Sequence, residues 1–281
     1  MGAKPSGSAA KIDMPNWSDI GVNLFSTQFD IDRDAVLSRA THAGIVHMLL
    51  IGSDINESQQ NINWCRQHNN CFSTAGVHPH QAAKVEQDWL VQLRALLMLP
   101  QVVAVGECGL DFNRDFSPRP LQQQVFAEQL QLAKACAKPV YLHERDAFDT
   151  QMAMLLEHQI SHGVAHCFTG DSVQLKAYLD LGLYIGVTGW VCDERRGHAL
   201  QHALRYIPAD RLLLETDAPY LLPRTLLPKP ASRRNEPAFL PAIASVIAEL
   251  TGSNIETLAA QTLSNSRALF GFAALPGPQH G

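Results

Sequence analysis

No run in this chain approaches the roughly 20 consecutive apolar residues of a membrane-spanning helix, so no membrane association is expected. The opening MGAKPSGSAAKIDMPNW lacks the apolar core of a secretory signal, which makes the cytoplasm the expected location. The six cysteines, Cys65, Cys71, Cys108, Cys136, Cys167 and Cys192, include no C-x-x-C pair. That removes the common zinc-ribbon and dithiol redox motifs and leaves reduced packing thiols as the expectation. Basic residues are outnumbered by acidic ones, giving a net charge of −5. A surface blanketed in positive charge is excluded, and any polyanion would have to meet a local basic patch. With 46% apolar and 17% charged residues the composition is globular rather than disordered.

What is present is a set of short apolar runs, four of which end in metal-type side chains. VVAVGE ends at Glu107, PVYLH at His143, GVAH at His166 and RLLLETD at Asp217. Each run is too short for a helix and suits a buried strand. Strands are expected over 17–22, 46–52, 71–77, 102–106, 139–143, 163–166, 183–189 and 211–216. Helical stretches are expected near 30–43, 56–68, 86–98, 121–137, 146–160, 172–181, 195–206, 238–250 and 255–270. Asp146 is placed to open the fifth helix, with Phe148, Met152, Leu155 and Leu156 on one face. Strict alternation implies parallel strands, and eight units in 281 residues suit a (β/α)8 TIM barrel of about 250 residues. The expected organisation is a single barrel domain over 17–272 between flexible tails at 1–16 and 273–281. Cys108 and Cys167 each follow a ligand candidate, and strand alternation turns them toward the surrounding helices.

Catalytic groups of such barrels gather at the C-terminal ends of the strands. Glu107, His143, His166 and Asp217 would therefore share one rim and suit a divalent ion such as Mg²⁺, Mn²⁺ or Zn²⁺. Asp217 could also accept a proton from water. His78 and His80, two apart in an extended segment, can reach one object. They are candidates for a second metal, for donors to a phosphate, or for a capped turn. Arg195 and Arg196 follow the seventh strand, and Arg233 and Arg234 follow the eighth. As pairs on the same rim they are candidates for phosphate binding, with Trp190 and Tyr220 able to stack on bases.

The segments STAGVHPH, VVAVGECGLDFNRDFS, HCFTG, YIGVTGWVCDERRG and LLLETDAPYLLPR resemble the TatD-type metal-dependent deoxyribonucleases of the amidohydrolase-like barrel superfamily. The likeness runs from Asp19 to Phe270 and is strongest to the subgroup that gives the family its name. It implies a cytoplasmic, Mg²⁺-dependent 3′→5′ exonuclease on single-stranded DNA and RNA, with a part in repair of oxidative DNA damage. It also implies metal ligation by Glu107, His143, His166 and Asp217. Many relatives carry Asp-x-His-x-His after the first strand, where this chain has Asp19-Ile20-Gly21-Val22-Asn23. That departure points to one ion, or to a second held partly by substrate phosphate. Other readings are an amidohydrolase or esterase, such as a D-aminoacyl-tRNA deacylase, and a non-catalytic nucleic-acid-binding barrel. No obligate protein partner is evident, and a monomer is expected.

Overall fold

The computed structural model describes residues 14–272; apart from 14–16, the expected tails lie outside the described residues. Among these, eight strands alternate with helices: β1 (Trp17–Val22), β2 (Ile45–Leu50), β3 (Cys71–Ala75), β4 (Val102–Asp111), β5 (Val140–Arg145), β6 (Gly163–Ala165), β7 (Tyr184–Val187) and β8 (Leu212–Leu214). The helices are α1 (Arg33–His42), α2 (Ile55–Cys65), α3 (Trp89–Leu97), α4 (Arg119–Cys136), α5 (Phe148–Glu157), α6 (Ser172–Asp180), α7 (His198–Leu204), α8 (Leu240–Thr251) and α9 (Ile255–Phe270). Sheet neighbours follow sequence order from β1 to β8, and every pairing is parallel. The seam between last and first strand is made just beyond β8. Val22 bridges Ala218, the Asn23 amide donates to the Ala218 carbonyl at 2.8 Å, and the Asp217 amide donates to the Gly21 carbonyl at 2.9 Å. Asp19, wholly buried, tightens it by accepting from the Thr216 amide at 2.9 Å and the Thr216 hydroxyl at 2.6 Å. The parallel (β/α)8 barrel expected from alternation is therefore the observed fold.

Alternation along each strand separates two cores. Ile20, Leu49, Ala104, Tyr141, Val164 and Leu213 point into the barrel. Their neighbours in sequence pack outward against the helices, Cys108 among them, as expected. Phe270, the last residue of α9, and Phe272 just beyond it join the inner cluster. Phe272 stacks on Phe72 with ring centroids 4.4 Å apart. These rings plug the end of the barrel where the strands begin, leaving the C-terminal ends of the strands open. Emptying one inner position, as in Leu213→Ala, removes contacts worth about 2–5 kcal/mol. No single helix among the described residues is long and apolar enough to cross a membrane.

Three local expectations need correction. β4 continues to Asp111 rather than stopping at 106, because pairing with β5 holds it extended through Gly109 opposite His143 and Asp111 opposite Arg145. Asp146 does not cap α5. It takes a positive φ of 53° and accepts from the Asn113 side-chain amide at 2.7 Å, while Glu144 receives the Ala147 amide at 2.8 Å. Leu156 is exposed, so the apolar face of α5 rests on Phe148, Met152 and the buried Leu155.

Candidate active site

The open end of the barrel holds a cavity of about 1220 Å³ lined by Glu107, His143, His166 and Asp217, and by His78 and His80. The four residues picked at strand ends thus meet in one place. Glu107 lies at the centre, and its Oε1 is 2.9 Å from His143 Nδ1, 3.5 Å from His78 Nε2 and 3.6 Å from His166 Nε2. Burial opposes ionisation of Glu107, but the three surrounding imidazoles outweigh it and hold the carboxyl below the usual range.

Hydrogen bonding fixes which histidine nitrogens are free. A carboxylate only accepts, so a ring nitrogen bonded to one carries the proton. His143 Nδ1–H therefore donates to Glu107. Its Nε2, which carries the lone pair only in the neutral ring, is buried and without a close hydrogen bond, with Asp111 Oδ2 3.5 Å away. His166 Nδ1–H donates to Glu215 Oε2 at 2.6 Å, and its Nε2 turns toward Glu107. A carboxylate behind an imidazole, orienting it and fixing its tautomer, is the usual support of a metal-binding histidine. His78 differs, because its Nδ1 accepts the His80 amide at 3.0 Å. The neutral ring then carries its proton on Nε2, facing Glu107. His80 Nε2 donates to Asp111 Oδ2 at 2.7 Å. His78 and His80 thus sit as a capped turn whose inner member presents an N–H.

The electrostatics follow from this packing. Burial lowers the His78 pKa to about 3, so that ring is neutral. Burial also opposes charge on His143 and His166. The carboxylates of Asp111 and Glu107 facing its two ring nitrogens nevertheless raise His143 to about 9, and Glu215 above all raises His166 to about 10. Burial lifts Asp217 to about 7, and the Asn23 amide donates to its Oδ1 at 2.9 Å. A divalent cation among these groups would take the place of the two imidazolium protons. The ligand atoms close enough to share a cation fall in two neighbouring groups, His78, Glu107 and His143 in one and His166, Cys167 and Asp217 in the other, so Glu107 and His143 lie in the first and His166 and Asp217 in the second.

Three contributors were not visible from strand ends. Glu215 is fully buried and receives His166 Nδ1, the Tyr141 hydroxyl at 2.9 Å and the Cys167 amide at 2.6 Å. Tyr141 also lies 2.7 Å from His166 Nδ1 through its hydroxyl, and Asp111 supports His80. The signal for Glu215 was a charge two residues before Asp217 at the end of an apolar strand. For Tyr141 it was a phenol two residues before His143. Cys167 also departs from expectation. β6 ends at Ala165, so alternation no longer governs Cys167. With φ of 46° it lines the cavity, its sulfur 3.6 Å from the Thr188 hydroxyl.

Gly21 is the first-strand position at which the family resemblance leads one to expect a histidine. A Cβ there would lie 2.6 Å from Glu215 Oε2 and 2.7 Å from the Tyr141 hydroxyl. The vacated space is filled by the two groups that grip His166. A Cβ at Gly186 would likewise strike Glu215 Oε1.

The rim arginines do not line this cavity. Arg195 and Arg196 both bond Asp193, and Arg196 covers the Trp190 ring at 4.4 Å. Arg234 is occupied by the fold: it pairs with Asp32 at 2.7 Å and with Glu236 at 2.7 Å, and Arg39 bonds the same two carboxylates. This cluster ties the loop after β8 to α1. Arg233 is exposed and makes no side-chain ion pair among the described residues. Arg114 and Arg145 line the cavity instead.

A parallel barrel whose open end gathers imidazoles and carboxylates in groups able to hold a divalent metal has the architecture of a metal-dependent hydrolase. Residues 18–271 match the family described as TatD related DNase, and the chain belongs to that family. It is 53% identical over 255 residues to the 3′-5′ ssDNA/RNA exonuclease TatD of Klebsiella pneumoniae (strain 342), covering 90% of this chain and 97% of that one. It is 51% identical over 257 residues to the protein of the same name from Enterobacter lignolyticus (strain SCF1), covering 91% and 99%. Among solved structures, YjjV, a TatD homolog from Escherichia coli K12, superposes with a TM-score of 0.85 at 29% identity, covering 94% of this chain and all of that one.

Proposed function

We propose that this chain is a Mg²⁺-dependent 3′→5′ exonuclease that hydrolyses phosphodiester bonds of single-stranded DNA and RNA. The observation that carries the reading is that Glu107, His143, His166 and Asp217 all line one open cavity, distributed over two neighbouring groups able to hold a metal. The relatives over 50% identical, named for this activity, supply the bond and the polarity. His143, His166, Glu107 and Asp217 would hold the ion. When bound, it polarises a phosphoryl oxygen and lowers the pKa of water. Asp217, raised to about 7, accepts a proton from the attacking water near neutral pH. Water adds to phosphorus, the bond to the upstream O3′ breaks, and that oxygen leaves with a proton. His78 Nε2–H, neutral and aimed into the cavity, is placed to donate to a non-bridging phosphate oxygen. Because Gly21 is packed by Glu215 and Tyr141, the first strand offers no histidine there, and the reading is of one ion held by protein, or of a second held partly by substrate phosphate.

The test is incubation of purified protein with 5′-labelled single strands and Mg²⁺, with and without chelator. Chelator-sensitive shortening from the 3′ end is expected. Its absence, or an unchanged rate in Asp217→Ala, refutes the proposal. Faster turnover of D-aminoacyl-tRNA or simple esters than of oligonucleotides would move the activity to acyl bonds. Salt-sensitive binding without any turnover would leave a binding protein.

A further inference from the structure

The active-site cavity abuts a second one of opposite charge. The first is lined by seven carboxylates against two arginines and four histidines, of which His143 and His166 are the ones with raised pKa. The second, of about 650 Å³, is lined by Arg195, Arg196, Arg224, Lys229 and Arg233 against the single carboxylate Asp193. Trp190 and Leu221 line both and form the partition. In a chain of net charge −5, the sign of the surface reverses across one indole ring. Within the basic cavity Arg195 and Arg196 share Asp193, and Arg224 pairs with Glu194. Lys229 and Arg233 are exposed, and their side chains have no ion pair or hydrogen bond among the described residues.

A nucleic-acid strand carries one charge per nucleotide, and seven carboxylates repel all of them except a phosphate that faces a bound cation. The strand therefore cannot run along the acidic cavity. Its next phosphates must leave at once toward positive charge, and the basic cavity begins at the partition. Its volume lies within the ~300–1,000 Å³ of small-ligand pockets, so it takes a short stretch of strand rather than a long tract. Trp190, packed against the core with Arg196 over its ring, stands at the turn between the two cavities.

Resting on the nuclease reading, we infer that the basic cavity binds the phosphates immediately upstream of the scissile bond. The released nucleotide occupies the acidic cavity, and Trp190 marks the step between the two. Lys229 and Arg233 are then determinants of substrate length, contacting the retained strand and not the reacting atoms.

The experiment measures kcat/KM on dA2, dA3, dA4 and dA6, for wild type, for Lys229→Ala/Arg233→Ala, and for the charge-keeping Lys229→Arg/Arg233→Lys. In wild type, kcat/KM should rise from dA2 to dA4 and then level off. The double alanine variant should lose most of that rise, roughly tenfold, through KM with kcat retained. The loss is confined to strands long enough to reach the basic cavity, and the charge-keeping variant restores it. The slope of log Kd for dA6 against log salt should flatten by about 1.4, at ~0.7 per single-strand contact. A wild type with no length dependence overturns the inference, as does an alanine variant impaired equally on dA2 and dA6. If wild type shortens no strand, the nuclease reading is what fails. The salt slope for dA6 binding then decides the basic cavity alone: a flattened slope supports it and an unchanged slope refutes it.

Discussion

Replacing Glu215 with Gln changes one atom and should cripple cation binding. Three donors converge on the two oxygens of this buried carboxylate: His166 Nδ1–H and the Tyr141 hydroxyl on Oε2, and the Cys167 amide on Oε1. A glutamine offers one acceptor oxygen and one NH₂. With the oxygen toward His166 and Tyr141, the NH₂ meets the Cys167 N–H, and a buried donor pair is left unsatisfied at about 1–3 kcal/mol. With the amide reversed, NH₂ faces His166 Nδ1, which can accept only if the ring moves its proton to Nε2. That occupies the lone pair a cation needs. Either orientation weakens the site, and loss of such a supporting carboxylate typically costs about 10–100-fold in metal affinity, or roughly 1.4–2.7 kcal/mol. The assay is calorimetric titration of the ion-free protein with Mn²⁺ or Mg²⁺, alongside thermal unfolding to confirm the fold. An NMR titration of His166 should show its pKa falling from about 10, because Glu215 is the main group raising it. A folded Glu215→Gln variant with wild-type ion affinity would refute the reasoning.

Other outcomes follow from the same contacts. In the ion-free protein, His166 is raised from 6.5 to about 10, so its contribution to stability is complete below pH 6.5 and is lost as pH rises toward 10. Cation affinity should climb across the same interval as the competing proton leaves, which denaturant melts and ion titrations at stepped pH would record. Gly21→Ala pushes a methyl into Glu215 and Tyr141 and should cost about 1–3 kcal/mol by overpacking, lowering Tm by several degrees. Arg234→Ala should destabilise the fold by about 1 kcal/mol, because its pairs with Asp32 and Glu236 are lost. Arg233→Ala should leave the denaturation midpoint unchanged.

The parts of the fold and site that were legible in sequence are those encoded locally. Short apolar runs separated by amphipathic stretches reveal parallel strands, and a titratable residue closing a run reveals the rim. Glu107, His143, His166 and Asp217 were found this way and do meet. What was not legible depends on contacts between distant segments. Asp111 was missed because GECGLD, with glycines on both sides of Cys108, carries no strand pattern; pairing with β5 makes it one. Glu215 was hidden by its place in the strand, where charge is foreign unless something across the barrel satisfies it. The room for it comes from Gly21 and Gly186, two absences of side chain on other strands. The arginine loops show the same limit from the other side. Arg233 and Arg234 are adjacent in sequence, yet one is free at the surface and the other is bound to α1 and the loop, a difference set by Asp32 some 200 positions away.

The seam of the barrel has a consequence for when the molecule becomes active. The carboxylate that takes the proton in the proposed reaction follows the last strand, and its partner Asn23 follows the first, 194 positions away. The backbone bonds that close the cylinder run through the same few residues. A chain that has formed only the first seven strands holds Glu107, His143 and His166 but still lacks Asp217 and the support of Glu215. Closure of the cylinder and completion of the proposed centre therefore depend on the same few residues.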